Sequence, residues 1–225
     1  MTVCYASDST AAMTNFLRAR KPEEQQLRRE TLLAAAAELF DAEGPQGAGL
    51  NAIAAKAGFT KSNVYRYFES REEVLLGLFD AELDAFAADF EAAMAATPIG
   101  DIPAIAGATA QRFITRPRFA SLISILAGVL EQNVSEARII DLKRAVATQN
   151  LRIAASLHSR LPAASLADCG WAVSMTATLV AGMWPAVIGS PIAHKVLAMP
   201  EFRHLKPSPA TDLPRAAEAL LRSIV

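Results

Sequence analysis

The segment Leu50–Arg71, LNAIAAKAGFTKSNVYRYFESR, restricts this chain more than any other stretch. Leu50, Ile53, Ala54 and Ala57 recur at three- and four-residue spacing, the mark of one helical face over about 50–57. Gly58 follows, where glycine can take the left-handed backbone that ends a helix at least cost. Thr60 suits the cap of a second helix running through about Phe68. Ala54 is small enough to let that helix cross closely, and Val64 and Phe68, four apart, supply its inward face. The segment therefore reads as two short helices joined by a tight turn.

At about 100° per residue from Val64, the opposite face centres on Ser62, Asn63 and Arg66. Tyr65 and Tyr67 flank it, and Lys61 stands at its exposed start. Arg pairs bidentately with guanine and Asn with adenine, while Lys61, Ser62 and the tyrosines suit phosphate, and Thr60 and Arg71 complete the candidate DNA-binding set. The amides at the helix start also favour an anion. A plain helical hairpin with a solvated polar face shares the two helices and the glycine. The small, glycine and apolar positions combined with this outward set favour the reading of DNA. Charge adds little: Arg18 to Arg71 holds nine Lys/Arg against seven Asp/Glu, and the whole chain has a net charge of -1.

These residues resemble the tetracycline-repressor (TetR) family of transcriptional regulators. The matching stretches are RRETLLAAAAELFDAEG and NAIAAKAGFTKSNVYRYFESREEVL. The family pattern appears as Leu39, Phe40 and Gly44, then Ile53-Ala54, Ala57-Gly58, Thr60-Lys61, Tyr65-x-Tyr67-Phe68 and Ser70-Arg71-Glu72. The resemblance covers roughly residues 26–86. One departure stands out: Ala48 and Gly49 occupy the start of the first motif helix, where the family usually carries a Thr or Ser that caps it and touches phosphate. That shifts the expected anchoring onto Lys61, Tyr65, Tyr67 and Arg71.

Around this motif the chain reads as all-α. A flexible arm over 1–21 includes the basic residues Arg18, Arg20 and Lys21, with Met13 as an alternative start. A helix-turn-helix domain spans 22–70, with its motif at 49–68, and a larger helical domain spans 71–225. The first helix begins near Pro22, with Leu32, Leu33, Ala36, Leu39 and Phe40 inward. Ser70-Arg71-Glu72-Glu73 is a capping box opening a long helix to about Ala96. Asp101 caps the next helix, and Pro117 opens one that is apolar nearly all round and so belongs in the core. A helix over 135–160 carries Gln149 on its apolar stripe, either as a satisfied amide or as a polar contact in a ligand cavity.

From Cys169 to Ala193 there are 25 residues without Asp, Glu, Lys, Arg or His. That is long enough for a membrane span. Glycines, Pro185 and hydroxyl residues interrupt it and no basic flank follows, so a buried helix that ends or kinks at Pro185 is the expectation. A proline-bearing loop follows, then a last helix capped by Asp212.

The chain is 52% hydrophobic with a mean hydropathy of +0.22, which calls for a large core, an interface or an apolar cavity. Phe113, Phe119, Trp171, Met175, Met183 and Trp184 are candidate cavity residues beside Gln149, although each is also ordinary core material. His158, His194 and His204 have no partner at metal-ligand spacing, and no nucleophile elbow, phosphate loop or dinucleotide fingerprint occurs. No cofactor, metal or catalysis is expected. Cys4 and Cys169 read as free thiols of a reducing compartment, and no secretion signal is visible.

The resemblance implies a cytoplasmic homodimer that joins through helices near 166–188 and 212–225. It further implies binding to a near-palindromic double-stranded DNA operator and release by a small-molecule inducer, without a membrane. Two alternatives stay open: a helical ligand-binding or scaffold protein with a vestigial DNA head, and a helical-bundle enzyme.

Overall fold

The computed structural model describes residues 10–225, with side chains from Glu23 onward. Every regular element among these residues is helical. The chain divides into two compact units, one ending at Arg71 and the other spanning Glu72–Val225.

The first unit holds α1 (Thr10–Glu43), α2 (Leu50–Ala57) and α3 (Lys61–Val64). The expected start of α1 near Pro22 is too late. Residues 10–21 are helical backbone rather than an arm, in keeping with the good helix formers in AAMTNFLRAR. The side chains of Arg18, Arg20 and Lys21, together with Cys4 and Met13, lie outside the described residues. Leu32, Ala36 and Phe40 of α1 are buried, while Leu33 and Leu39 are half-buried. With Ala48, Ile53, Ala54, Val64 and Phe68 they form the core of this unit.

The turn after α2 follows from Gly58. Its φ of 73° is left-handed. Its amide donates to the Ala55 carbonyl at 3.2 Å, and the next amide, of Phe59, reaches back to Ala54 at 2.8 Å. This pair of bonds satisfies carbonyls that the helix end would leave open. A Cβ at Gly58 meets no atom within 4 Å, so only the backbone resists substitution. Gly58→Ala is therefore expected to destabilise the first unit by about 1–2 kcal/mol, the cost of a left-handed non-glycine residue. Urea unfolding checks this, and an unchanged midpoint would mean that the turn relaxes to another geometry.

The second unit holds α4 (Arg71–Ala95), α5 (Ile102–Ile114), α6 (Pro117–Ile125), α7 (Glu136–His158), α8 (Leu166–Val187), α9 (Pro191–Leu197) and α10 (Pro209–Arg222). The division between units falls at the first residue of α4. Asp101 caps α5 as expected, its carboxylate accepting from the Ala104 amide at 3.0 Å. Pro117 opens α6, which winds into a π-helical turn over Leu126–Leu130 instead of continuing as α-helix. Only Phe119, Ala120, Ser121 and Leu122 of α6 are buried, so the helix is less enclosed than its composition implies.

Five phenylalanines from α4, α5 and α6 make the centre of this unit. Phe86 lies 4.6 Å from Phe113, 4.9 Å from Phe119 and 6.0 Å from Phe90, centroid to centroid, and Phe79 lies 5.8 Å from Phe119. Around them α5 packs on α10, and α8 packs on α6, α7 and α10.

Three expectations about the last third need correction. Of the end or kink expected at Pro185, the end falls two residues later, α8 running on to Val187 with the proline inside it. The loop after it contains α9, opened by Ser190 and Pro191, with the Ser190 hydroxyl accepting from the Ala193 amide at 3.2 Å. The last helix starts at Pro209, not at Asp212. The Asp212 carboxylate instead reaches back to the Ser208 amide at 2.8 Å, a reciprocal form of capping.

α8 itself is two-faced rather than buried. Cys169, Ala172, Val173, Thr176, Val180 and Trp184 point inward. Its length and composition suffice to cross a membrane, yet only 28% of its most apolar window is buried within the chain. Trp171 and Leu179 stand out at 46% and 43% exposure. Burial raises the Cys169 thiol pKa, with the Asp168 charge adding to the effect, so this cysteine stays protonated and is a poor nucleophile.

Candidate nucleic-acid interface

The second motif helix is shorter than its sequence period implies. α3 proper ends at Val64, and the chain continues in tight turns: the Arg66 amide donates to Asn63 at 3.2 Å and that of Tyr67 to Val64 at 2.9 Å. The Phe68 amide returns to Val64 at 3.0 Å, which keeps the helical sense through to Phe68. Val64 and Phe68 are 0% and 2% exposed, so the inward face is placed as its spacing requires. The Arg29 guanidinium lies 5.2 Å over the Phe68 ring and closes that side of the core.

With that face anchored, the opposite one is presented to solvent. Lys61, Ser62, Tyr65 and Arg66 are exposed, and Asn63 and Tyr67 are half-buried. The Lys61 ammonium lies 5.8 Å from the Tyr65 ring centroid, which keeps the cation beside the aromatic face. Thr60 holds the N-cap position with extended backbone, but its hydroxyl does not cap. It lies 3.0 Å from the Ser62 hydroxyl instead. Among the described residues, neither Arg66 nor Asn63 has a side-chain hydrogen bond or ion pair, so both retain their donors.

Two features of the scaffold differ from a simple outward set. Gly49 is the N-cap of α2 and supplies no side-chain bond, as its identity dictates. Arg71 is half-buried, and its guanidinium donates to the Pro45 carbonyl in the loop between α1 and α2. It braces that loop rather than standing free with Lys61 and Arg66. Lys56 pairs with Glu38 at 2.7 Å and ties α2 to α1.

A neighbouring surface escaped the sequence. A cleft of about 770 Å³ opens beside the recognition turn, with Gln25, Arg28 and Arg29 of α1 along one side and Arg66 and Tyr67 along the other. Glu24 and Gln26 complete it. The pair Arg28-Arg29 was visible as charge, but which side of α1 faces the turn is settled only by packing.

The candidate cavity residues of the body differ in their surroundings. Phe113 and Phe119 stack at 6.4 Å inside the aromatic core, 1% and 2% exposed. The Trp184 indole donates to the Ser121 hydroxyl at 2.9 Å in the interior. Met175 and Met183 are half-buried on α8, and Trp171 is exposed on it. Gln149 is also half-buried, and its amide donates to Asp84 of α4 at 2.8 Å.

That last bond is one rung of a ladder along α4. Arg116 bridges Glu82 at 3.1 Å and Asp89 at 2.5 Å, and Arg118 also reaches Glu82, at 2.9 Å. Arg138 pairs with Asp80 at 2.6 Å and Arg152 with Glu91 at 2.5 Å. The hydrogen bond from Arg152 lowers the Glu91 pKa, so this pair persists at neutral pH and fails only as pH falls through the lowered value. Among the described residues, no three His, Cys, Asp or Glu side chains converge to hold a metal.

A trihelical head with a braced, outward polar turn, followed by a larger helical unit, defines a helix-turn-helix regulator. The chain belongs to the TetR family: residues 32–78 match the bacterial regulatory proteins of the tetR family, and residues 80–224 match the tetracyclin repressor-like C-terminal domain. An uncharacterised HTH-type transcriptional regulator of Mycobacterium tuberculosis (strain H37Rv) is 43% identical over 61 residues, 27% of this chain. That match spans only 29% of the relative's own length.

Solved structures share the fold across nearly the whole chain. A transcriptional regulator from Rhodococcus sp. Rha1 aligns with a TM-score of 0.54 at 19% identity, covering 87% of this chain and 95% of that one. The fatty acid degradation regulator FadR from Bacillus halodurans aligns with a TM-score of 0.53 at 13% identity, covering 86% and 94%. At such identities the likeness concerns the fold alone. The chain is thus a TetR-family transcriptional regulator of the helix-turn-helix type, and such regulators bind DNA operators and dimerise.

Proposed function

We propose that this protein is a homodimeric, cytoplasmic repressor that reads a near-palindromic operator and leaves it when its body takes up a small apolar ligand. The observation that carries the DNA reading is the recognition turn, where Val64 and Phe68 fix the backbone while Arg66 and Ser62 face solvent. In this reading Ser62, Asn63 and Arg66 meet base edges in the major groove. Thr60, Lys61, Tyr65 and Tyr67 hold phosphates, and Arg71 sets the loop that positions them. Two copies of the turn enter successive major grooves, ~34–36 Å apart.

The dimer reading rests on α8. Its outward side is apolar and carries no charge between Asp168 and its end, and water is a poor neighbour for such a surface. With α10 it supplies the self-association face. The ligand reading rests on the half-buried Met175, Met183 and Gln149 and on the α4 ladder. Movement of α6 or α7 around a ligand is passed to α4 through Arg116, Arg118, Arg138 and Arg152.

The decisive experiment selects bound sequences from random DNA and then screens small apolar compounds for release. Enrichment of a two-half-site sequence is expected, with release by at least one compound class. A protein that enriches no sequence yet binds compounds would instead be a ligand-binding protein with a vestigial head, the reading that the uncapped Gly49 favours. Lys61→Ala is expected to weaken selected and random DNA alike and to lower the slope of log K against log salt by about 1, as loss of one phosphate contact requires. A change confined to the selected sequence would make Lys61 a base reader.

A further inference from the structure

We infer that the cleft between α1 and the recognition turn holds a phosphate of the DNA backbone, with Arg28 as the contact. α1 then joins the recognition turn as a DNA-contacting element, outside the set between Thr60 and Arg71. The inference rests on the DNA reading above and adds a contact to it.

The argument begins with the side of α1 that faces the core of the head. Leu32, Ala36 and Phe40, each four residues from the next, are buried along it. Toward the N-terminus the same stripe continues, at helical spacing, as Arg29 and Gln25, with Arg28 beside them. Its chemistry changes from apolar to cationic where it passes Arg66 and Tyr67, which form the opposite wall of the cleft. A helix side that meets a protein wall ordinarily buries apolar groups. This one presents two guanidinium groups and an amide, which suit an anionic neighbour.

The charges of the cleft point the same way. Among its described lining residues, three arginines stand against Glu24 alone. Arg29 is half-buried and fixed over the Phe68 ring, so its charge cannot swing away. Arg28 is exposed and, among the described residues, its side chain has no hydrogen bond or ion pair, so all its donors are open. Gln26, by contrast, is held by Glu30 at 2.8 Å. A guanidinium matches the oxygens of a phosphate two at a time, and like charges on facing walls are relieved by an anion between them.

The backbone of DNA is the source because Arg66 belongs to both surfaces. It lines the cleft and also stands on the outward face that meets base edges. A major groove is about 12 Å wide and has a phosphate backbone along each side. Lys61 stands at the start of the reading turn and serves one side, while the cleft opens at its end, beside Arg66 and Tyr67, and serves the other. With Arg66 engaged on a base, Arg28 is the cation left for that phosphate.

The test uses the full chain on the selected operator and on random DNA. Arg28→Ala is expected to lower the slope of log K against log salt by about 0.9 on both, and Arg28→Lys to keep the native slope. Methylphosphonate linkages then neutralise one operator phosphate at a time. At one position in each half-site the neutral linkage should weaken the native protein and leave Arg28→Ala unaffected, and the position found in the same way with Lys61→Ala should be a different one. Arg28 is exposed, so circular dichroism of its variants should match the native spectrum. Should Arg28→Ala misfold, the scan is read with Arg28→Gln. A native slope in Arg28→Ala, with no phosphate whose effect depends on Arg28, overturns this inference and leaves the DNA reading standing. Binding of adenosine monophosphate that Arg28→Ala abolishes, with the DNA slope unchanged, overturns it in favour of a small phosphorylated ligand. A native protein that binds no DNA overturns both.

Discussion

Arg66→Ala is expected to weaken binding to the selected operator by about 1–3 kcal/mol while leaving random DNA nearly unaffected, the mark of a bidentate base contact. The expectation comes from its surroundings. Arg66 is exposed and has no side-chain partner among the described residues, whereas Arg29 covers the Phe68 ring and Arg71 is held by the Pro45 carbonyl. Arg66 thus keeps its whole donor fork for DNA. Titration by fluorescence anisotropy on both DNAs, at one salt concentration, separates the cases. An equal loss on the two would place Arg66 on phosphate. No loss on either would move the reading site elsewhere on the head.

The second large effect concerns stability. Phe86→Ala is expected to destabilise the second unit by about 3–5 kcal/mol. Phe86 is 2% exposed, and its ring stands within 6.0 Å of three others, from α4, α5 and α6. Removing it leaves a cavity that Phe90, Phe113 and Phe119 cannot close without leaving their own positions. It also forfeits ring–ring contacts worth about 0.5–1.5 kcal/mol each beyond area. Urea denaturation followed by tryptophan fluorescence reads this directly, because the Trp184 indole is bonded to Ser121 of the adjoining α6. A loss below about 1 kcal/mol would mean that the aromatic cluster is not the centre of the unit.

The head was legible because its rules are local. Spacing in Ile53-Ala54 and Val64-Phe68 is a statement about helix periodicity, and both pairs are buried. Gly58 announces a left-handed turn, and its φ is 73°. Asp101 and Pro117 were readable for the same reason, since a cap or a first-turn proline acts within four residues of itself. Ser190-Pro191 carries the same signature, and α9 follows it within the proline-bearing stretch.

The body was less legible because its questions are about neighbours. Composition marked Phe113, Phe119 and Trp184 as apolar and large. It gave no way to separate a cavity wall from a packed core, since both use the same residues. The Gln149 amide donates to Asp84, 65 residues earlier, at 2.8 Å, a partner that no local spacing announces. Arg71 looked like an anion anchor by position, and the loop carbonyl of Pro45, 26 residues away in sequence, claims it.

By itself, then, the sequence determined an all-helical chain with a helix-turn-helix head and the side of the recognition turn that faces outward. Those follow from hydrogen bonding and periodicity over a few residues. Tertiary structure alone decided how far charge and apolar surface are matched within the chain. It paired the carboxylates of α4 with arginines from α6 and its N-cap and from α7, closed five phenylalanines into a core, and left the uncharged sides of α8 and α9 without cover. Pairing and burial depend on distances between residues far apart in sequence, and no local rule carries that information.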